Sequence, residues 1–462
     1  MSIRKLIGDR AFYRKVFAVM VPILIQNVIT NFVSLLDNVM VGQVGTEPMS
    51  GVAIVNQLLF IFNLCIFGGL AGAGIFTAQF FGKNDREGIR CTLRIKGMIG
   101  VATVLVFGAV LLLFGEKLIG LFLHEGGETL DLEATMAFGK DYLAVMLVGL
   151  VPFAATQIYA STLRECGETV LPMKAGIAAV VVNLTFNYIL IFGKLGAPAM
   201  GVVGAAVATV LSRFVELAIV LAWSRRHTAE HPYMQGAFRS LHVPGDLLWQ
   251  VFVLGSPLLV NELLWSGGMT VLNQCYSLRG LEVVSAMNIS TTVSNLFFCA
   301  VFAMGSTISI LVGQLLGAGE LERAVEEDWQ LIAFTTVLGT LMGALMALAA
   351  PYIPRVYNTT ANVRLLASRL LLVTALMTPV HAFLHGCYFT LRSGGKTIIT
   401  FVFDSAFVWL MCIPLAFVLS RYTDLPIVPM YFYVEAVNLI KCVIGFVLVK
   451  RRRWVKNLVD SE

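Results

Sequence analysis

Apolar residues run through this chain in blocks, interrupted only by short clusters of charge, glycine and proline. The blocks fall near 16–44, 50–82, 95–122, 132–164, 171–192, 201–224, 250–278, 283–317, 328–350, 363–392, 398–420 and 430–450. A helix rises 1.5 Å per residue, so about twenty apolar residues cross a hydrocarbon layer of about 30 Å. Inside a bilayer no water satisfies the backbone, which leaves a helix as the form such a block can take. The pattern predicts an all-α polytopic membrane protein with twelve transmembrane helices.

Composition agrees. Of 462 residues 58% are apolar and only 13% charged, about half the charged share of a soluble domain. Residues 1–15 carry Arg4, Lys5, Arg10, Arg14 and Lys15, and the apolar run that follows has no small-residue cleavage pattern. It reads as a first span, not a signal peptide. Eight cysteines are scattered without a CxxC pair, which gives neither a disulfide framework nor a zinc site. Of the 33 Lys and Arg, 23 lie on the side of the N-terminus, eight on the other, and Arg213 and Lys441 within spans. Positive residues collect in cytoplasmic loops, so both termini are expected in the cytoplasm of a cell (plasma or inner) membrane. The acidic stretch Glu320 to Asp328 runs against that rule.

The two halves resemble each other. At a constant offset of 235, Pro22 pairs with Pro257, Asn38 with Asn273, Gly45 with Gly280, Gln79 with Gln314 and Gly82 with Gly317. Further on, TLRECGET from Thr162 matches TLRSGGKT from Thr390 at offset 228. Six spans separate the matched elements, an even number, so the halves share one topology and are parallel repeats about an axis along the membrane normal. The expected organisation is an N-terminal six-helix bundle over 1–226, a linker loop over 227–248 and a C-terminal six-helix bundle over 249–462. Paired bundles of this kind leave a central cleft and suit alternating access. Pro22 and Pro257 should bend the first and seventh spans, as hinges or as static kinks.

Polar groups inside spans are costly and therefore candidate functional groups. In the first span Asn27, Thr30, Asn31, Ser34, Asp37 and Asn38 recur at helical spacing and make one stripe. Asp37 is its only carboxylate. Burial disfavours the charged form of a carboxyl group, so such a group exchanges protons nearer physiological pH. The functional reading is a coupling site for H⁺ or Na⁺; the alternative is an aspartate that only bridges helices. Asn183 and Asn187 on the fifth span and Thr209 on the sixth offer oxygens for a cation or a protonated Asp, and Arg213 with Glu216 reads as a neutralising pair. In the second half Asp37 maps onto Leu272. Its acidic groups are Glu262, Asp404 and Glu435. Glu262, Trp265, Met269 and Asn273 on the seventh span, with Asp404 and Trp409 on the eleventh, are candidate contacts for a cationic aromatic solute. His381 and His385 stand four apart without a third ligand, which favours hydrogen bonding over metal binding. No phosphate-binding GxxxxGK[ST] loop and no TVGYG-type filter occurs.

With the repeat and the Asp37 stripe in view, the chain resembles the multidrug and toxic compound extrusion (MATE) family over about residues 15–450. The matching segments are PILIQNVITNFVSLLDNVMVGQVG (Pro22 to Gly45), FFGKND, LRECGET, NLTFNYILIFG (Asn183 to Gly193), GVVGAAVAT (Gly201 to Thr209) and VGQLLGAGE (Val312 to Glu320). The resemblance implies a V-shaped pair of bundles and secondary antiport of cationic or amphipathic drugs against H⁺ or Na⁺. Asp37 matches the family's coupling aspartate, and Asn183 and Thr209 match its polar partners. Asn187 stands where some members carry a second aspartate, so a two-carboxylate site is not intact. In some members a functional glutamate falls one turn after Glu262, at Trp265. Asn27, Asn31 and Ser34 of the stripe join the second-half residues named above as expected substrate contacts. The expected partners are small organic cations, H⁺ or Na⁺ and lipid, with no nucleic acid, no cofactor, no enzymatic activity and a monomeric state. A lipid-linked oligosaccharide flippase is the alternative; it would need a cationic cleft for pyrophosphate.

Overall fold

The computed structural model describes residues 6–123 and 131–460, with the side chains at 33–35 and 38 outside the description. The described chain is helical, with twelve helices apolar and long enough to cross a membrane. They are α1 (Arg10–Gly42), α2 (Thr46–Gly82), α3 (Arg86–Gly120), α4 (Leu132–Glu165), α5 (Val170–Phe192) and α6 (Gly201–Arg226). Then follow α7 (Gly245–Ser277), α8 (Leu281–Gly317), α9 (Leu321–Ala349), α10 (Ala361–Ser393), α11 (Thr397–Tyr422) and α12 (Ile427–Lys450). Every apolar block of the sequence becomes one helix. Their starts follow local capping: Asp85 accepts from Gly88 N at 2.9 Å, Asp131 from Ala134 N at 3.0 Å and Thr360 from Val363 N at 3.3 Å. Apolar side chains such as Leu105, Leu112 and Leu113 of α3 are left largely exposed, as a surface covered by lipid requires.

The chain forms two compact units. One comprises 25–77 and 85–251, the other 6–24, 78–84 and 252–460. In the first, α2 to α6 enclose a core that includes Val55, Phe62, Ile66, Leu93, Ile119 and Phe153. Small residues allow close approach: a Cβ on Gly204 of α6 would come 2.7 Å from the Leu190 carbonyl of α5. The segment 227–244 after α6 is tied to α3, because Arg90 and Arg94 donate to the carbonyls of Pro232, Ala237 and His242. Lys96, at the border of the third apolar block, lies inside α3. Its ammonium is wholly buried and meets Glu165, Thr162 and Ser161 of α4. Helix α3 begins at Arg86, well before its apolar run, because Asp85 caps it there.

The second unit carries one core around Leu272, Val293, Met346 and Leu371 and another around Phe12, Met304, Leu311 and Trp454. Two features of it bear on the site. First, α11 runs through π-helical turns over Val402–Ala406 and Val408–Cys412, a geometry that recurs at functional sites. Second, residues 451–460 fold back as a strap. Arg452 takes the left-handed conformation (φ 55°), Trp454 is fully buried, and Gln79 binds the strap through Lys456 O (3.4 Å) and Leu458 N (2.7 Å). Lys83 holds Val459 O at 2.8 Å and Asp460 at 2.9 Å, and Asn457 reaches Gly317 O at 3.4 Å. Under the strap the last turns of α2 and α8 touch backbone to backbone. A Cβ on Gly82 would come 1.9 Å from Gln314 O, and one on Gly317 1.9 Å from Gln79 O.

The repeat is visible in the backbone. The turn after α1 carries Gly45 at φ 150° and the turn after α7 carries Gly280 at φ 115°. Asn84 (φ 59°) after α2 answers Gly319 (φ 77°) after α8, and Gly167 (φ 86°) answers Gly395 (φ 72°). Glycine adopts such angles without steric cost. The bonds match as well: Glu168 N reaches Leu163 O at 2.9 Å, and Lys396 N reaches Leu391 O at 3.0 Å.

Candidate functional site

In the first unit α1, α5 and α6 bring four of the sequence candidates together. Asn187 and Asn183 stand one turn apart on α5, so their amides line up along its axis. Asn187 Nδ2 donates to Asp37 Oδ1 at 2.6 Å and to Asn183 Oδ1 at 3.2 Å. Asn183 Nδ2 continues to Thr209 Oγ1 at 3.2 Å, and Ser212 Oγ donates to Thr209 O at 2.7 Å. Both asparagines are buried, while Asp37 is half-buried. Among the described residues the buried Asn187 Oδ1 has no hydrogen-bond donor. An amide oxygen without a donor, beside a carboxylate, is a place for a cation or an acidic proton. Arg213 is the positive charge that acts on Asp37, and it is itself engaged by Glu216 at 3.7 Å and by the Phe153 ring at 4.7 Å.

Another member of the α1 stripe bonds along its own helix. Asn31 Nδ2 turns back to Asn27 O at 2.9 Å on its own helix. Ser34 and Asn38 fall outside the described side chains.

The second unit is organised by ion pairs. Leu272, where the repeat would put a second Asp37, is buried among apolar side chains. Asp404 Oδ1 accepts from Lys441 Nζ of α12 at 2.9 Å, and Asp404 Oδ2 accepts from Asn261 Nδ2 of α7 at 3.2 Å. Asn261 also reaches Tyr388 OH (3.3 Å) and accepts from Ser405 Oγ (2.7 Å). Thus Asn261, not its neighbour Glu262, is the α7 residue that meets Asp404. The charges acting on Glu262 are Arg392 and Asp404. Glu435 pairs with His381 at 2.8 Å and accepts from Asn438 at 3.3 Å. Trp409 Nε1 donates to Leu264 O at 2.9 Å, which fastens α11 to α7. Trp265 and Met269 are 38% and 37% exposed, and Asn273 is exposed too.

Three participants escaped the sequence reading: Asn261, Tyr388 and Arg392. A buried carboxylate needs donors, and the polar residues of α7 and α10 nearest its depth were the available signal. Asp328, which the sequence suggested as the end of an acidic loop, lies inside α9. It is fully buried and accepts from Thr390 Oγ1 at 2.5 Å, with its other oxygen unpartnered. Thr390 is the repeat counterpart of Thr162, which serves Lys96 in the first unit. Among the described residues no three His, Cys, Asp or Glu are grouped to hold a metal.

Known proteins share this architecture. The sequence pattern of the MatE family matches the chain twice, over 22–189 and 257–418; the matches open on the paired prolines Pro22 and Pro257. The probable multidrug resistance protein NorM of Thermotoga maritima is 24% identical over 446 residues, 95% of this chain and 92% of that protein. The probable multidrug resistance protein YoeA of Bacillus subtilis is 24% identical over 425 residues, 90% of this chain and 88% of that protein. The solved structure of an outward-facing multidrug resistance MATE family transporter of the MOP superfamily superposes with a TM-score of 0.85 at 18% identity, over 97% of each chain, so the fold is common to both. Two copies of the family pattern, twelve membrane-spanning helices and relatives matched along almost their whole length lead to one conclusion: the chain belongs to the MatE family and is a multi-pass membrane transporter, not an enzyme.

Proposed function

We propose that the protein is a secondary antiporter that exports cationic or amphipathic small organic molecules in exchange for H⁺ or Na⁺, with Asp37 as the coupling group. The observation that carries this is the pair of oxygens at Asp37 and Asn187: the carboxylate has an amide donor at 2.6 Å, and the adjoining amide oxygen has none. A bound cation, or a proton on Asp37, removes the electrostatic conflict between the two acceptors. Asn183 and Thr209 extend the polar set and fix the orientation of Asn187. The names of the relatives, multidrug resistance proteins, support the class of solute. Loop charge supports a cytoplasmic location for both termini.

The flippase reading has less support. The two cations that the sequence offers it, Arg213 and Lys441, are each engaged by a carboxylate and an aromatic ring.

The test uses vesicles loaded with ethidium, with the sodium and pH gradients imposed separately. With H⁺ as the driving ion, an acidic exterior drives export and a protonophore stops it; with Na⁺ as the driving ion, export survives the protonophore. In either case Asp37→Asn, present in the membrane at wild-type level, should transport no faster than empty vesicles. Unchanged gradient-driven export by that variant overturns the assignment.

A further inference from the structure

Lys441 is 7% exposed, in the middle of the membrane-spanning part of α12. Its ammonium donates to Asp404 Oδ1 at 2.9 Å and lies 5.0 Å from the centroid of the Phe403 ring and 5.8 Å from that of Phe407. The three groups sit at i, i+1 and i+4 on α11, Phe403 and Asp404 in its first π-helical turn and Phe407 just after it. The carboxylate is itself held from the far side by Asn261 Nδ2 at 3.2 Å, and Asn261 is fixed by Ser405 and Tyr388. Glu262, Arg392 and His385 are the other titratable groups whose charge bears on this spot.

One carboxylate with two aromatic faces is the chemistry that recognises an organic ammonium: charge pairing on one side and ring quadrupoles on the others. A lysine is an odd choice for stability alone. A buried ion pair is often no better than two well-packed apolar side chains, because desolvation consumes the attraction. A lysine ammonium on a flexible four-carbon stem is, however, a ligand on a tether.

We infer that Phe403, Asp404 and Phe407 form a binding site for a primary alkylammonium, and that Lys441 fills this site with its own side chain. A cationic solute reaches Asp404 by displacing Lys441. The Asp404 carboxylate is then neutralised at every stage, by the tether or by the solute, and the bundle never holds it bare. The inference does not depend on Asp37 or on the identity of the coupling ion.

Lys441→Ala removes three methylenes and the ammonium, a gap that propylammonium matches. Thermal unfolding of the purified variant is followed with a thiol-reactive dye, since the eight cysteines are free and none is fully exposed. Millimolar propylammonium should raise the midpoint of Lys441→Ala by a few degrees and saturate, as a ligand of the native state does. Propanol should not, and neither the wild type nor Lys441→Ala with Asp404→Asn should respond to the amine. If Lys441→Ala cannot be extracted alone, propylammonium present during extraction should recover it and propanol should not. The inference is overturned by an amine response of equal size in the double variant, or by no response in an intact Lys441→Ala. It is equally overturned if the amine fails to recover that variant while Lys441→Met with Asp404→Leu is extracted folded.

Discussion

The two halves of this transporter were built on one backbone plan and then charged differently. In the first, a single carboxylate on α1 is met by neutral amides and a hydroxyl, with one amide oxygen left without a donor. In the second, the equivalent position is Leu272, and the carboxylates have moved to α7, α11 and α12, where Lys441 and His381 answer Asp404 and Glu435 directly. The repeat-paired threonines show the same inversion: Thr162 serves a lysine and Thr390 an aspartate. A duplicated scaffold conserves turns and close helix contacts because the backbone needs them. Charge is free to diverge. An aspartate bonded to amides leaves room for a cation beside it; one already matched by a lysine takes another cation only by displacing the first.

The comparison can be broken at several points. The largest effect is expected at Asp37: Asp37→Asn should abolish ion-driven export, read as ethidium flux in vesicles, because no other carboxylate joins that ladder among the described residues. At Asp404 the effect should fall on stability. Asp404→Asn strands a buried ammonium and should destabilise the fold by about 3–5 kcal/mol, whereas Lys441→Met with Asp404→Leu should recover most of that loss. A lower unfolding midpoint in the single variant and a near-native one in the pair is the expected pattern. Should Asp404→Asn be as stable as wild type, the ion pair is not what holds α11 to α12. A smaller effect is expected at Asn187. Asn187→Ala removes the donor that favours the charged form of Asp37, a loss of about 1–2 kcal/mol, so with H⁺ as the driving ion the half-saturating concentration should fall roughly tenfold, and with Na⁺, which loses the amide oxygen as well, it should rise by a similar factor. Asn31 defines the lower end of the scale. Its amide donates to Asn27 O one turn back, a local bond of about 1 kcal/mol net, so Asn31→Ala should leave export within about twofold of wild type. A larger loss would put Asn31 in contact with the solute.

Much of this was readable in the chain. Helices were legible because a bilayer penalises any other form, and the sixth block, read as 201–224, became Gly201–Arg226. The Asp37 ladder was legible because its members on α5 are one turn apart and chemically unusual for a membrane. What stayed hidden depends on distance along the chain or on backbone irregularity. Lys96 meets Glu165 69 residues away, and at the edge of an apolar block it resembled a loop residue. Asn261 and Glu262 are adjacent, and Asn261 is the one that reaches Asp404, on a stretch of α11 wound as a π-helix. Periodicity of 3.6 does not anticipate that shift.

The strap over residues 451–460 sets a threshold for motion at that end of the protein. Any movement that parts the last turn of α2 from the last turn of α8 must release the grip of Gln79 and Lys83 on the chain end together with the glycine contacts beneath it. Each such hydrogen bond contributes about 1 kcal/mol net. The firmness of that contact is thus written in a few backbone carbonyls, and a chain cut before Lys456 should loosen it.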